Sequence, residues 1–242
     1  MTLTSFGLYS LDLCRVASGF ATRLTGFVNS TSMAAPKVKL TYFNLRGRAE
    51  PIRLTLLAAN VDFEDHRINS NDWPTLKSTV PGGKVPILEV TQGGATKVYT
   101  ESLAIARLFA KKHHMMGSTD EEYYEIERVI GQCTDIDREL FPAFRASDEE
   151  KSKIAQTFRG EAGLRLLTLI CQHLDSSPSG LVAGNTPSLG DLVILCTTDQ
   201  VEVVVPGFIK EKFPTIQKHR ELVLKKCPKL AEYLKTRGSF PL

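Results

Sequence analysis

The sequence predicts a mixed α/β domain followed by an all-helical domain. Apolar residues alternate over residues 38–42 and then recur at helical spacing over residues 49–59, which indicates a strand followed by a helix. A glycine pair at residues 93–94 separates two further strand-like segments and predicts a hairpin turn. From residue 120 onward the apolar residues recur at helical spacing only, which favours a second, helical domain.

The composition is that of an ordinary globular protein. The chain has 242 residues, of which 42% are hydrophobic and 24% charged, enough for one large or two small domains. The formal net charge is +3 and no run of lysines or arginines is long enough to suggest a nucleic-acid groove, so we expect no nucleic-acid partner. No apolar stretch approaches the ~20 residues that cross a bilayer, so we expect no membrane span.

The cysteines and histidines argue against disulfides and metals. The five cysteines are odd in number, scattered, and without a Cys-x-x-Cys pair, which favours a reduced, cytoplasmic protein over a disulfide framework or zinc site. The adjacent pair His113-His114 resembles a metal pair. Neighbouring side chains on a helix point apart, however, so a solvated helix end is the preferred interpretation and we expect no metal.

Residues 1–35 differ from the rest of the chain. They are rich in Ser and Thr and contain two arginines but one acidic residue, Asp12. One interpretation is a mitochondrial-type targeting leader over residues 1–32. The other, which we favour, is a disordered or artefactual extension with Met33 as the true start.

The mixed domain is predicted over residues 36–113. Its first strand and helix are followed by a second strand at residues 63–68, a loop, and a third strand at residues 85–90. The hairpin then leads to a fourth strand and to a helix that begins near Ser102. The order βαβ–ββα predicts a small sheet covered by helices.

A linker at residues 114–120 is predicted to lead to the helical domain, residues 121–242. Its first two helices are expected over residues 119–140 and 148–175. The sequence SLGD at residues 188–191 predicts a capping box at the start of the next long helix. Three shorter helices are then predicted, at residues 208–212, 214–226 and 228–236.

Chemistry-bearing residues follow the predicted strands. Tyr42 ends the first strand, and ligands of open α/β sheets bind at the carboxyl ends of strands. Pro86 cannot donate to a sheet, and a cis bond before it would turn the backbone of Val85 outward for another peptide to pair with. Glu101 and Ser102 open a helix, where free backbone amides bind an anion.

The implied ligand is a short extended peptide with a carboxylate at each end. Trp73, Lys77 and Lys84 lie in a loop that should face one end, and the hydroxyl of Tyr42 would face the middle. Glutathione is such a peptide, and only its thiolate is a strong nucleophile. The positive charge of Arg48 would help to stabilise that thiolate. Each of these residue types alone is more often structural, so their order in the chain matters most.

That order resembles the cytosolic glutathione transferases, most closely the sigma class and the fluke-type enzymes within it. The resemblance extends over about residues 37–242. It rests on these segments: KLTYFNLRGRAEPIR, VDFEDHRI, DWP, PGGKVPILEV and ESLAIARLFAKKHHMMG. The resemblance implies an N-terminal thioredoxin-like domain, an all-α domain that forms the electrophile pocket, and a homodimer.

The resemblance also implies a role for each matching residue. Tyr42 would stabilise the thiolate, with Arg48 in support. Val85, before a cis Pro86, would pair its backbone with the cysteinyl unit. The remaining glutathione contacts implied are Trp73, Lys77 and Lys84 at the glycine carboxylate, Glu101 and Ser102 at the γ-glutamyl end, and Asp135 from across the dimer interface. Phe43 and Leu45 would border the electrophile pocket.

The implied function is conjugation of glutathione, as co-substrate, to hydrophobic electrophiles. Isomerisation of prostaglandin H2 to D2 is a second activity that the family suggests. Ala143 stands where the vertebrate prostaglandin synthase of this class has a Trp, so that aromatic wall is missing. Glu101 stands where many relatives have Gln. The alternative is a non-catalytic relative, similar to a lens crystallin or a carrier of apolar ligands.

Overall fold

The computed structural model describes residues 35–237, and within them four strands form one sheet in the order β2-β1-β3-β4. The strands are β1 (Lys37–Phe43), β2 (Glu64–Ile68), β3 (Ile87–Gln92) and β4 (Ala95–Tyr99). β1 and β2 run parallel, and β3 is antiparallel to both of its neighbours. The predicted extension at residues 1–35 lies almost wholly outside the described residues.

Three helices complete the mixed domain: α1 (Glu50–Ala58), α2 (Trp73–Leu76) and α3 (Ser102–Lys112). α1 carries Pro51 in its first turn, where the missing N–H of proline removes no helical hydrogen bond. α1 packs beside α3 and buries Ile52, Leu54 and Leu56 completely. The predicted βαβ–ββα order is confirmed, with the short α2 inside the predicted loop.

The rest of the described chain is helical, as predicted. Its helices are α4 (Asp120–Leu140), α5 (Asp148–Gly160), α6 (Ala162–Ser176), α7 (Leu189–Val204), α8 (Phe208–Lys212), α9 (Pro214–Lys226) and α10 (Pro228–Thr236). α7 lies at the centre and packs most extensively against α4. No helix within residues 35–237 is both long enough and apolar enough to cross a bilayer.

The prediction of one continuous helix over residues 148–175 is wrong. The chain breaks at Glu161, which has φ −127° and ψ −88° between α5 and α6. Glycine at position 160 weakens the helix locally. A second glycine, Gly163, packs so closely on Phe158 that an added Cβ would lie 2.4 Å from its ring. The break therefore lets the buried Phe158 fold back over the first turn of α6.

The predicted capping interaction at the start of α7 is confirmed. The backbone N–H and the hydroxyl of Ser188 both donate to the Asp191 carboxylate, each at 2.7 Å. The N–H of Val182 donates to the other carboxylate oxygen at 2.8 Å, and Nε2 of His219 lies 2.8 Å from that oxygen. Because Asp191 is fully buried, these donors replace the water that its charge would otherwise need.

Arg53 of α1 is a fully buried cation that joins three parts of the mixed domain. Its Nε lies 3.0 and 3.1 Å from the two carboxylate oxygens of Asp65 on β2, and its Nη1 donates to Glu50 at 3.1 Å. The same Nη1 donates to the backbone carbonyls of Leu45 and Arg46 at 3.1 and 3.2 Å. Burial opposes the charge, but Asp65 and Glu50 outweigh it and raise the pKa of Arg53.

Glu50 extends this network into the helical domain. The hydroxyl of Tyr233 lies 3.1 and 3.2 Å from the two Glu50 carboxylate oxygens, and Nη1 of Arg237 donates to Glu50 at 2.6 Å. Nη2 of Arg237 donates to Asp199 on α7. α1, α7 and the end of α10 are therefore held together by buried charges.

Replacing Arg53 by Met should lower the free energy of unfolding by about 3 kcal/mol or more, because Glu50 and Asp65 would each lose a buried cationic partner. Urea denaturation followed by circular dichroism measures this change. The control is Lys153→Met, which breaks the exposed Lys153–Glu149 pair and should cost less than about 1 kcal/mol. Equal losses in the two variants would contradict a structural role for Arg53.

Another acid, the half-buried Asp137, lies where α4 meets α7. The hydroxyl of Thr197 donates to its carboxylate at 3.0 Å. Burial raises the pKa of the Asp137 carboxyl to about 6, against the opposing effect of the Thr197 hydrogen bond. The folded state therefore holds this proton more tightly than the unfolded state does. Stability from this group is present at low pH and is lost as pH rises from about 4 to about 6.

The variant Asp137→Asn cannot ionise but can still accept from Thr197, so it should be more stable than the wild type at pH 8. The expected gain in unfolding free energy is about 1–3 kcal/mol, and it should shrink at pH 4.5. Urea denaturation at the two pH values measures the gain. The exposed Asp62→Asn is the control. A gain that does not change with pH would contradict the ionisation of a half-buried Asp137.

Candidate functional site

Tyr42 ends up where the sequence placed it, next to the carboxyl end of β1. Its side chain is buried, with 7% exposed. The backbone N–H of Arg48 donates to the Tyr42 hydroxyl oxygen at 3.2 Å. Since this bond uses the oxygen as an acceptor, the hydroxyl hydrogen remains available to a ligand, and the backbone donor polarises it.

Gly47 makes this contact sterically feasible, and the sequence reasoning missed it. Its φ is +39°, and a Cβ added there would lie 2.7 Å from the Tyr42 hydroxyl oxygen and 2.8 Å from the side chain of Leu45. Any larger residue would have to displace the phenol. The signal in the sequence was a glycine between two arginines in the turn between strand and helix.

The side chain of Arg48 points elsewhere. Its guanidinium carbon lies 5.7 Å from the centroid of the Phe141 ring, in the turn that follows α4. Its contact with Tyr42 is made through the backbone N–H. The predicted support of Tyr42 by Arg48 therefore has a main-chain component that the sequence did not indicate.

The sheet register brings the other predicted backbone contacts to the same edge. Thr41 pairs with Ile87 across the antiparallel strands β1 and β3. The next position in this register places Pro86 opposite Tyr42. The Val85–Pro86 peptide bond is cis, as expected. β3 and β4 pair Leu88 with Tyr99, which carries the start of α3 toward the same edge.

Glu101 precedes α3 in a conformation that L-residues rarely adopt. Its φ is +67° and its ψ is 107°, and its side chain makes no capping bond to α3. Such strain persists where the surrounding structure holds it and is common at binding sites. Ser102 is the first residue of α3, so free amides of the helix start lie next to this exposed carboxylate.

The predicted loop residues line one side of this edge. The rings of Phe43 and Trp73 meet edge to face at 5.3 Å, which connects the end of β1 to α2. The side chain of Lys77 lies beside Gly83, 3.5 Å from an added Cβ. Lys77 and Lys84 are exposed and form no ion pair among residues 35–237, so both charges are available to an anion.

Asp135 is not brought to this edge within the chain. It lies exposed on α4 and its carboxylate pairs with Arg138 at 3.0 Å. Leu45 and Phe43, in contrast, pack half-buried beside Tyr42. The predicted pocket residues are therefore adjacent to the phenol, whereas Asp135 faces outward.

Two other features bear on what the site contains. Within residues 35–237, no three His, Cys, Asp or Glu side chains are grouped so as to hold a metal ion. A groove of about 610 Å³ lies between α4, α5 and α6 and is bordered by Glu139, Lys153 and Phe158 among others. None of the predicted site residues borders this groove.

The described thiols are poor nucleophiles. Cys133, Cys196 and Cys227 are buried and Cys171 is half-buried, and none is in a disulfide. Burial raises the pKa of each of these thiols, to about 11 for Cys171. None of these four thiols is therefore readily ionised.

Comparison with known proteins agrees with this arrangement. The family model described as glutathione S-transferase, N-terminal domain, matches residues 38–110, and the C-terminal domain model of the same family matches residues 134–237. The class-mu 28 kDa glutathione S-transferase isozyme of Schistosoma mansoni is 47% identical over 210 residues, which cover 86% of this chain and 100% of the relative.

Structural similarity leads to the same family. The sigma class GST of Fasciola hepatica superposes with a TM-score of 0.82 at 47% identity, covering 86% of this chain and 99% of that one. The hematopoietic prostaglandin D synthase of Homo sapiens is 37% identical over 158 residues, or 65% of this chain and 73% of the relative. The sigma-class resemblance is confirmed, and the chain belongs to the glutathione S-transferase family, whose members use glutathione as co-substrate.

Proposed function

We propose that the protein conjugates glutathione to hydrophobic electrophiles and that the Tyr42 hydroxyl stabilises the glutathione thiolate. The observation that supports this role is the bond from the Arg48 backbone N–H to the phenol oxygen. It occupies an acceptor site of the oxygen and leaves the hydrogen to donate to sulfur. In the reaction the thiolate attacks the electrophilic carbon, and a leaving group departs or a proton adds.

The size of the effect is reasonable for one hydrogen bond. The glutathione thiol has a pKa near ~8.5–9, and lowering it by ~2 units requires about 2.7 kcal/mol of differential stabilisation. A hydrogen bond to a charged acceptor contributes about 1.5–3 kcal/mol. One buried phenol therefore suffices for most of the shift, and the Arg48 backbone N–H that donates to the phenol oxygen adds to it.

The other residues of the edge would hold the ends of glutathione. Val85 would pair its backbone with the cysteinyl unit. The start of α3, with Ser102 and Glu101, would receive the γ-glutamyl end, because helix amides favour an anion. The remaining contacts proposed are Trp73, Lys77 and Lys84 at the glycine carboxylate. Phe43 and Leu45 would border the electrophile.

Replacing Tyr42 by Phe should lower kcat/KM for a chloronitrobenzene by about 10- to 100-fold, since the loss of a charged hydrogen bond costs about 1.5–3 kcal/mol. The thiol pKa of bound glutathione, read from thiolate absorbance against pH, should rise by about 1–2 units. The exposed Tyr124→Phe is the matched control. Unchanged turnover together with an unchanged thiol pKa would reject the catalytic role of Tyr42.

Retention on immobilised glutathione without turnover in the wild type would favour the alternative function, a non-catalytic carrier.

We also propose that the protein is a homodimer in which Asp135 reaches the glutathione amine of the partner subunit. What supports this is the position of Asp135 on α4, exposed and turned away from the Tyr42 edge of its own chain. A carboxylate there would attract the amine and would lower the KM for glutathione.

Subunit mixing tests this arrangement. Asp135→Asn and Tyr42→Phe should each lower the activity of both sites in their own homodimer. A mixed dimer would contain one site with an intact Tyr42 and an intact Asp135 from the partner subunit. Activity should therefore rise above the average of the two parents after subunit exchange. Sedimentation confirms the dimer, and Asp62→Asn mixed with Tyr42→Phe is the control. Activity equal to the parental average would mean that Asp135 does not act across the interface.

Isomerisation of prostaglandin H2 to D2 is the second candidate activity. It is supported by the identity to the human prostaglandin D synthase. Ala143, where that class of enzyme has a Trp, is buried with 3% exposed. Chromatography of the products formed from prostaglandin H2 and glutathione separates this activity from conjugation.

A further inference from the structure

We propose that two arginines and a phenylalanine beside Tyr42 select electrophiles that carry a carboxylate. This inference rests on the proposed function, because it names the substrate class of the same site. The residues are Arg48 on the loop after β1, and Phe141 and Arg145 on the turn after α4. We call them the arginine–phenylalanine cluster.

The cluster is built around an exposed aromatic ring. Phe141 is 43% exposed, and two guanidinium groups lie over it. The guanidinium carbon of Arg48 is 5.7 Å from the ring centroid, and that of Arg145 is 5.2 Å away. The ring attracts both cations through its negative face, and Phe141 stays partly exposed beside them.

Neither guanidinium is neutralised. Among residues 35–237, neither Arg48 nor Arg145 pairs with a carboxylate, although several acids lie close in sequence. Two of these acids are already engaged: the carboxylate of Glu150 accepts from the backbone and hydroxyl of Ser147, both at 2.9 Å, and Glu149 pairs with Lys153 at 2.6 Å. Two positive charges therefore share one ring without a counterion, and a ligand anion would relieve their repulsion.

The position of the cluster connects it to the reaction. The backbone N–H of Arg48 donates to the hydroxyl oxygen of Tyr42. The Arg48 side chain therefore starts from a main-chain position next to the proposed thiolate site. An electrophile that lies over Phe141 would present its reacting carbon toward Tyr42 on one side. A carboxylate on its other end would meet Arg145, whose planar fork suits bidentate binding.

The chemistry of the proposed substrate is an unsaturated ketone or haloarene with a carboxylate separated from the reacting carbon. With an aryl vinyl ketone, the thiolate sulfur forms a bond to the β-carbon, and the carbon–carbon π bond breaks to give an enolate. The α-carbon of the enolate then takes a proton from water, which leaves hydroxide. No leaving group, oxidant or reductant is needed. The carboxylate takes no part in these bond changes, so its contribution is to binding.

A matched substrate pair tests this selection. The probes are an aryl vinyl ketone with an oxyacetate group and its methyl ester, which share the reacting carbon. Arg145→Gln should lower the acid-to-ester ratio of kcat/KM by about three- to tenfold, as expected for one partly exposed ion pair. The loss should appear in KM for the acid, because a remote charge binds ground state and transition state alike.

Three further measurements separate charge from shape. Arg145→Lys should restore part of the ratio, and the wild-type ratio should fall as salt increases. Lys218→Gln, an exposed lysine on α9 that loses the same charge, should leave both substrates unchanged. Equal effects of Arg145→Gln on acid and ester would overturn the selection while leaving conjugation intact. A wild type that turns over neither substrate would instead overturn the proposed function.

Discussion

The buried Arg53 guanidinium is the interaction on which the geometry of the reactive edge depends. It binds the carbonyls of Leu45 and Arg46, and these residues lie in the loop between Tyr42 and Arg48. Holding those carbonyls positions the loop, and with it the Arg48 N–H that lies 3.2 Å from the phenol oxygen. Because a buried cation is costly to leave unpaired, these contacts favour this loop conformation.

The protein uses its cations in two different ways. Arg53, Arg237 and Arg107 are matched with carboxylates, the last through two bonds to Glu127 at 2.7 and 2.8 Å. Cations around the Tyr42 edge, such as Lys77 and Lys84, have no such partner in the described part of the chain. Charges that are paired within the protein stabilise the fold and are not available to bind a ligand. Unpaired charges raise the local positive potential, which attracts an anionic peptide and stabilises a thiolate.

Much of this could be read from local sequence. The end of β1 and the Ser188–Asp191 cap are each set by neighbouring residues, so their spacing predicts them, whereas the cis Pro86 was implied by the family resemblance. The need for Gly47, the contacts of Arg53 and the ring shared by Arg48 and Arg145 could not be predicted. They arise where segments distant in sequence meet, and periodicity reports only which face of an element is buried. The break at Glu161 was missed because its cause, Phe158 packing on a small residue, is also a packing effect.

An enzyme that concentrates thiol-reactive compounds risks becoming their target. Three of the four cysteines in the described part of this chain are buried and Cys171 is half-buried, and burial raises the pKa of each thiol. The thiolate is the form that reacts with electrophiles. These cysteines are therefore poor targets for the electrophiles that the proposed site would bind.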